Sequence, residues 1–277
     1  MMKAINRMFI PAIQWLRPAL IVSVITGLMT LSALASTAKN HVQPKSAIDP
    51  QAAEFMRRMS DYLAQSPFFS VNAEVWQDIQ LIHGQRVQSG RTVELQIRRP
   101  NHLHVEIHST RHSRAVYYDG SKITLLNRTR NLYGSIAAPS SLDKAVDEAN
   151  EHFGITIPME DLIVSDPYQN AMSKVTSGID LGPVTVLGVA CEHLAFSQGT
   201  NDWQIWIEQG AMPVPRKIVI TYKDEEGMPQ YTEILSNWDF QTKLPDFLFN
   251  FEPPALSSKI SVSQIKNENE THKSEVK

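Results

Sequence analysis

The sequence predicts an α+β protein built on a single antiparallel sheet of about ten or eleven strands, curled around its helices. Three observations point there. Segments of alternating apolar and polar residues recur through most of the chain. Their one long interruption, from about residue 140 to 175, has helical spacing and caps. Neither block of strands is set off by a linker or shows closure of its own, so one shared sheet fits better than two domains.

Residues 1–35 read as a cleaved secretory leader. Lys3, Arg7 and Arg17 supply positive charge, an apolar run follows from Ala19, and Ala33-Leu34-Ala35 before Ser36 is the small-residue pattern a signal peptidase cuts. An uncleaved anchor fits less well, because about 17 apolar residues barely span a bilayer and Thr26, Gly27 and Thr30 weaken the run. Cleavage after Ala35 leaves no cysteine there to carry a lipid. It also removes three positive charges and no acidic residue from a chain of net charge −3, leaving −6. That balance argues against nucleic acid and against electrostatic attraction to anionic membrane surfaces. Residues 36–48 are polar and read as a flexible lead-in, residues 49–254 as the sheet domain, and residues 255–277 as a disordered polar tail.

Within the domain, Asp49-Pro50 is an N-cap followed by proline at the first helical position. Ala52, Phe55, Met56, Met59 and Leu63 then share one face of a helix over 50–64. Alternation begins at Phe69, Val71, Ala73 and Val75, resumes after His83-Gly84 at Val93, Leu95 and Ile97, and continues beyond Pro100 at Leu103, Val105 and Ile107. Tyr118-Asp119-Gly120-Ser121 is a hairpin turn between RAVYY and KITLLN, and NLYGSI makes another short strand. Residues 140–153 read as a helix with Ser140 and Asp143 spaced as a capping box and Gly154 ending it, followed by short helical turns at Pro158 and Pro167. Alternation returns in VTVLGV, CEHLAF, DWQIWIE, RKIVITY, QYTEILSNW and FLFNF.

Little in the chain suggests catalysis. The sequence holds no nucleophile elbow, zinc-protease helix motif, phosphate loop or dinucleotide fingerprint, and Cys191 and His193 lie about 7 Å apart along a strand. As the one cysteine, Cys191 has no disulfide partner in the chain and reads as a small apolar strand residue. His102, His104, Glu106 and His108 share a strand face and could ligate zinc, but Arg111 and Arg114 close by would repel a cation, and the solvated face of a half-buried strand explains the pattern better. No metal or cofactor is expected. Trp203 and Trp206 lie on opposite faces of one strand; core packing is the plainer reading, and lining a ligand cavity the functional one.

The stretch QIRRPNHLHVEI…AVYYDGSKITLLNRTRNLYGSI resembles the strand pattern of the LolA family of periplasmic lipoprotein carriers, in which a strand ends in Arg-Pro-Asn before an Asp-Gly hairpin turn. A fuller resemblance is to a bacterial family of predicted periplasmic proteins known as domain of unknown function 2092. It is carried by the YDG turn, ITIPMEDLIVSDPY, DWQIWIEQGAMPVPRKIVITYK and FLFNFEPP, and covers roughly residues 50–255. The resemblance implies the LolA/LolB-like half-barrel with helices over an apolar cavity, a fold shared with the RseB family of envelope-stress regulators. In the LolA family the Arg of the Arg-Pro pair bonds to lid backbone, and Arg99 matches it. The expectation is a non-catalytic periplasmic protein holding a lipid or acyl chain. Val71, Val93, Leu95, Ile97, Val105, Ile107 and Trp203 would line the cavity; Phe55, Met56 and Met59 would face it from the lid, with Arg99 as latch. The alternative is a regulatory module of RseB type that binds an envelope protein partner, with lipid as signal or no ligand.

Overall fold

A computed structural model describes residues 48–154, 156–261 and 263–264. The expected leader, most of the lead-in and the last residues of the expected tail lie outside them. Among the described residues no helix is long and apolar enough to cross a membrane.

The chain forms two antiparallel meanders joined in one sheet. β1 (Phe68–Gln80), β2 (Arg86–Arg98), β3 (His102–Ser109), β4 (Ser113–Tyr118), β5 (Lys122–Asn127) and β6 (Leu132–Ala137) make the first. The second comprises β7 (Ser177–Val186), β8 (Val189–Gln198), β9 (Asn201–Glu208), β10 (Pro215–Tyr222) and β11 (Gln230–Asp239). A short β12 (Ser258–Lys259) completes a twelve-stranded sheet of order β12-β6-β5-β4-β3-β2-β1-β11-β10-β9-β8-β7. The join is the antiparallel pair β1–β11, which includes Ala73↔Leu235. With β7 and β12 at its two edges the sheet stays open.

The sheet has twelve strands where about ten or eleven were expected, and the strand bounds differ in three places. Leu187-Gly188, inside VTVLGV, is a hairpin turn with both residues at positive φ, so β7 ends at Val186 and β8 begins at Val189. FLFNF is not a strand: Asp246–Leu248 is a single 3-10 turn, and the chain beyond it lies across the sheet. The expected tail contributes β12, whose Ser258 and Lys259 pair in parallel with Leu132 and Tyr133. Ordered structure therefore runs past residue 254.

α1 (Pro50–Gln65) starts as expected, Asp49 accepting from the Gln51 amide with Pro50 in the first turn. α2 (Leu142–Phe153) ends at Gly154 in the left-handed conformation, its amide donating to Asn150. The capping box is not formed. Ser141 is the N-cap and makes no side-chain cap, while Asp143 accepts from both the amide and the hydroxyl of Ser165, tying α2 to the next loop. α3 (Glu160–Ile163) and α4 (Pro167–Met172) complete the helices between the meanders. In the β4–β5 hairpin Asp119 accepts from the amides of Ser121 and Lys122, and Gly120 at φ 92° approaches Asn101 so closely that a Cβ would sit 2.6 Å from its amide nitrogen.

Candidate functional site

Alternation along the strands decides the two faces. Val71, Ala73 and Val75 of β1, Val93, Leu95 and Ile97 of β2, Leu103 and Val105 of β3, and Trp203, Ile205 and Ile207 of β9 form one buried cluster with Ala52, Met56, Met59 and Leu63 of α1. Helices α2–α4 join it through Leu142, Ala145, Phe153, Ile163 and Met172. This is the inner face. Burying each aliphatic side chain contributes roughly 1.5–3 kcal/mol, so lid and sheet hold together chiefly by apolar contact. Of the expected cavity-lining residues, Val71, Val93, Leu95, Ile97, Val105 and Trp203 are buried there, while Ile107 is half-buried against the same cluster. Met56 and Met59 are buried on the underside of α1 and Phe55 packs at its margin.

Arg99 sits at the β2–β3 turn, next to a cis Arg99–Pro100 peptide. Its Nη1 donates to the carbonyl of Ile163 at 2.8 Å and its Nη2 to that of Leu63 at 3.4 Å. Those carbonyls belong to the last turns of α3 and α1, where helices have unsatisfied acceptors and a partial negative charge. One guanidinium thus ties two helix ends to the sheet. Burial lowers its pKa from the ordinary value, opposed by the charge of Asp143.

Several groups at the lid were not foreseen from the sequence. Glu233 of β11 is buried on the inner face, where it accepts from the Tyr231 hydroxyl at 2.5 Å and from the Met159 amide in the connector that enters α3. Burial pushes its carboxyl above the ordinary range, against those hydrogen bonds and the charge of Arg91. Period-two spacing places Glu233 between the inward Tyr231 and Leu235, so its face was legible. Its amide partner, from a distant connector, was not. At the far end of α1, Tyr62 meets Phe240 edge-on at 5.0 Å between ring centroids, beside Phe69 and Trp238. A cleft of about 390 Å³ between α2 and α3–α4 is lined by Asp143, Asp147, Asp161, Asp166 and other polar groups, and none of the expected cavity residues borders it.

The histidines of β3 lie on the outer face. His102 bonds to Asn101, His104 to Gln96 and Glu106, and His108 to Ser113. Among the described residues no group of three or more His, Cys, Asp or Glu side chains is placed to hold a metal ion. Glu106 is instead the hub of an ion network with Arg128, His104 and Tyr117. Burial raises its pKa, but hydrogen bonds from His104 and Arg128 prevail and hold it down at about 2. Over this half of the outer face the C-terminal chain runs as a strap. Phe249 is fully buried between Arg98 and His102, and Phe251 packs on Tyr117 and Tyr133. The other half carries Trp206, with His193 stacked on it at 4.1 Å and Lys217 over its ring, beside the free, buried Cys191. Trp203 is the inward member of the pair and stacks on Phe196.

The fold is thus an open half-barrel whose apolar inner face lies under helices anchored to it by polar contacts. A family model of predicted periplasmic proteins, domain of unknown function 2092, matches residues 52–263, and the chain belongs to this family. The protein is accordingly periplasmic. No curated protein matches the chain. Among solved structures it is similar to the lipoprotein LppX of Mycobacterium tuberculosis, at 12% identity and TM-score 0.43 over 71% of this chain and all of that one. It is also similar to a LolA-superfamily protein of Nitrosomonas europaea, at 11% identity and TM-score 0.36 over 72% of this chain and 97% of that one. A third similarity is to the MucA/MucB complex of Pseudomonas aeruginosa, at 14% identity and TM-score 0.38 over 72% of this chain and 60% of that one.

Proposed function

We propose that this chain is a non-catalytic periplasmic binding protein that takes an acyl chain or similar lipid tail onto the inner face of its half-barrel, with α1 and α3 as the lid and Arg99 as the latch. The observation that carries the reading is the Arg99 guanidinium bonded to the terminal carbonyls of two helices whose undersides are apolar. Opening such a lid breaks few directed bonds, and the surface it uncovers fits a hydrocarbon chain rather than a polar substrate.

Native mass spectrometry of the full chain, exported to a bacterial periplasm and purified without detergent, tests this. The expected result is a discrete adduct that organic solvent extracts as a lipid and that is lost in a Leu95→Asp variant retaining the sheet's circular dichroism. A mass matching the chain alone, in both proteins, contradicts it. One observation favours the second reading, a regulatory module for an envelope protein. Ile179, Val184 and Leu187 are exposed along β7 and its turn, near the Trp206 cluster of the outer face, and exposed apolar patches mark interaction sites. On that reading crosslinking in cells recovers a partner through this patch and the inner face stays empty.

A further inference from the structure

The inner face is not apolar along its whole length. Where β8 turns into β9, Gln198 and Asn201 are paired across the hairpin, Trp203 follows two residues on along the same face, and Tyr222 of β10 is paired with Asn201. Gln198 and Asn201 are each 4% exposed and Trp203 is 1% exposed. Yet Gln198 Oε1, Asn201 Oδ1 and Trp203 Nε1 have no hydrogen-bond partner. Two other buried polar side chains on this face are matched: Glu233 by Tyr231, and Glu192 by the Gln209 amide at 2.7 Å. Buried polar atoms without partners are uncommon because each loses its water without compensation. Three on neighbouring positions of one face form a patch that a packed core would fill better with Leu and Phe.

From this patch, and resting on the proposed lipid-tail reading, we infer that the β8–β9 end of the inner face is a head-group subsite for an amphiphile with a neutral, hydroxyl-bearing head. Two of the three unmatched atoms are carbonyl oxygens, which accept from hydroxyls and repel a carboxylate or phosphate. The third is an indole N–H, which donates to an ester carbonyl. No carboxylate stands unmatched among them to select an ammonium head. The placement also suits the tail. β1 pairs with β11 at Gln77↔Tyr231 and, further along, carries Val71 into the row Val71–Leu95–Val105. Six residues of strand separate the two rows, about 20 Å, the reach of a long acyl chain.

The test compares 1-monopalmitoylglycerol with methyl palmitate, which share tail and ester and differ in the two hydroxyls. Each is titrated by displacement of 1-anilinonaphthalene-8-sulfonate from the full exported chain. The wild type is expected to bind the glycerol ester about tenfold more tightly. In a Gln198→Leu/Asn201→Leu variant that preference falls to near one while methyl palmitate affinity holds. Trp203→Phe, which keeps a ring against Phe196 and removes the N–H alone, weakens both ligands about fivefold. Equal binding of the two esters by the wild type, a preference that survives the double substitution, or no change in Trp203→Phe overturns the subsite and leaves the lipid-tail reading standing. Failure of both esters to bind removes the lipid-tail reading, and the subsite with it.

Discussion

The helical lid lies against the inner face of the sheet and the C-terminal strap against β2, β3, β4 and β6 on the outer face, and the two are held by different means. The lid rests on a broad apolar contact and is fastened at points: Arg99 to two carbonyls, Glu233 to one amide, Tyr62 to Phe240. The strap is a narrow segment fastened throughout. Arg98 bonds Leu244 and Asp246, Phe249 is buried under Arg98, Phe251 sits between Tyr117 and Tyr133, and β12 adds ladder bonds at the sheet edge. A layer held by a few breakable anchors over a greasy surface is suited to moving. A layer pinned along its length is suited to staying.

Substitutions can break this contrast. The largest effect is expected from Phe249→Ala, which empties a fully buried aromatic site and should lower global stability by about 3–5 kcal/mol, read by chemical denaturation. Arg99→Ala comes next, with a different signature. It removes about 2 kcal/mol of charge-assisted hydrogen bonding at the lid alone, so amide exchange in α1 quickens roughly thirtyfold while the β1–β2 ladder is nearly unaffected. Equal quickening in both would mean the lid is not a separate unit.

Acidity separates the two faces by sign. Glu106, held at about 2 in the folded protein, contributes stability that is present at neutral pH and lost as the pH falls from about 4.5 toward 2. Glu233 is shifted upward, so the folded state holds its proton more tightly and stability increases as the pH falls from neutral into the ordinary carboxylate range. Melting curves between pH 7 and pH 3 should lose the acid-side decline in Glu106→Gln and the earlier gain in Glu233→Gln. The smallest effect belongs to the uncovered β7–β8 turn: Leu187→Asp should change stability by less than about 0.5 kcal/mol, since that side chain is 74% exposed.

The sequence showed most of the sheet because half-buried strands write their pattern locally. Val71, Leu95 and Val105 declared their face through period two, and Asp49-Pro50 declared the start of α1. Arg99 was legible only through resemblance, since the carbonyls it binds belong to chain 36 and 64 residues distant. FLFNF misled because Phe249 and Phe251 have strand spacing, which a strap that inserts alternate side chains shares. Ser258 and Lys259 looked like tail because an edge strand two residues long needs only backbone and leaves no apolar signature. The polar patch at Gln198 and Asn201 flanks a turn, where such residues are ordinary, and only their burial makes them notable.

The most direct test of lid opening is amide hydrogen exchange across the full exported chain, with and without 1-monopalmitoylglycerol as the probe. Its binding should change exchange in α1, α3 and the Ile157–Met159 connector and leave Phe249–Lys259 unchanged. Unaltered exchange in α1 and α3 at saturating 1-monopalmitoylglycerol, or an equal change in lid and strap, would contradict a mobile lid over a fixed half-barrel.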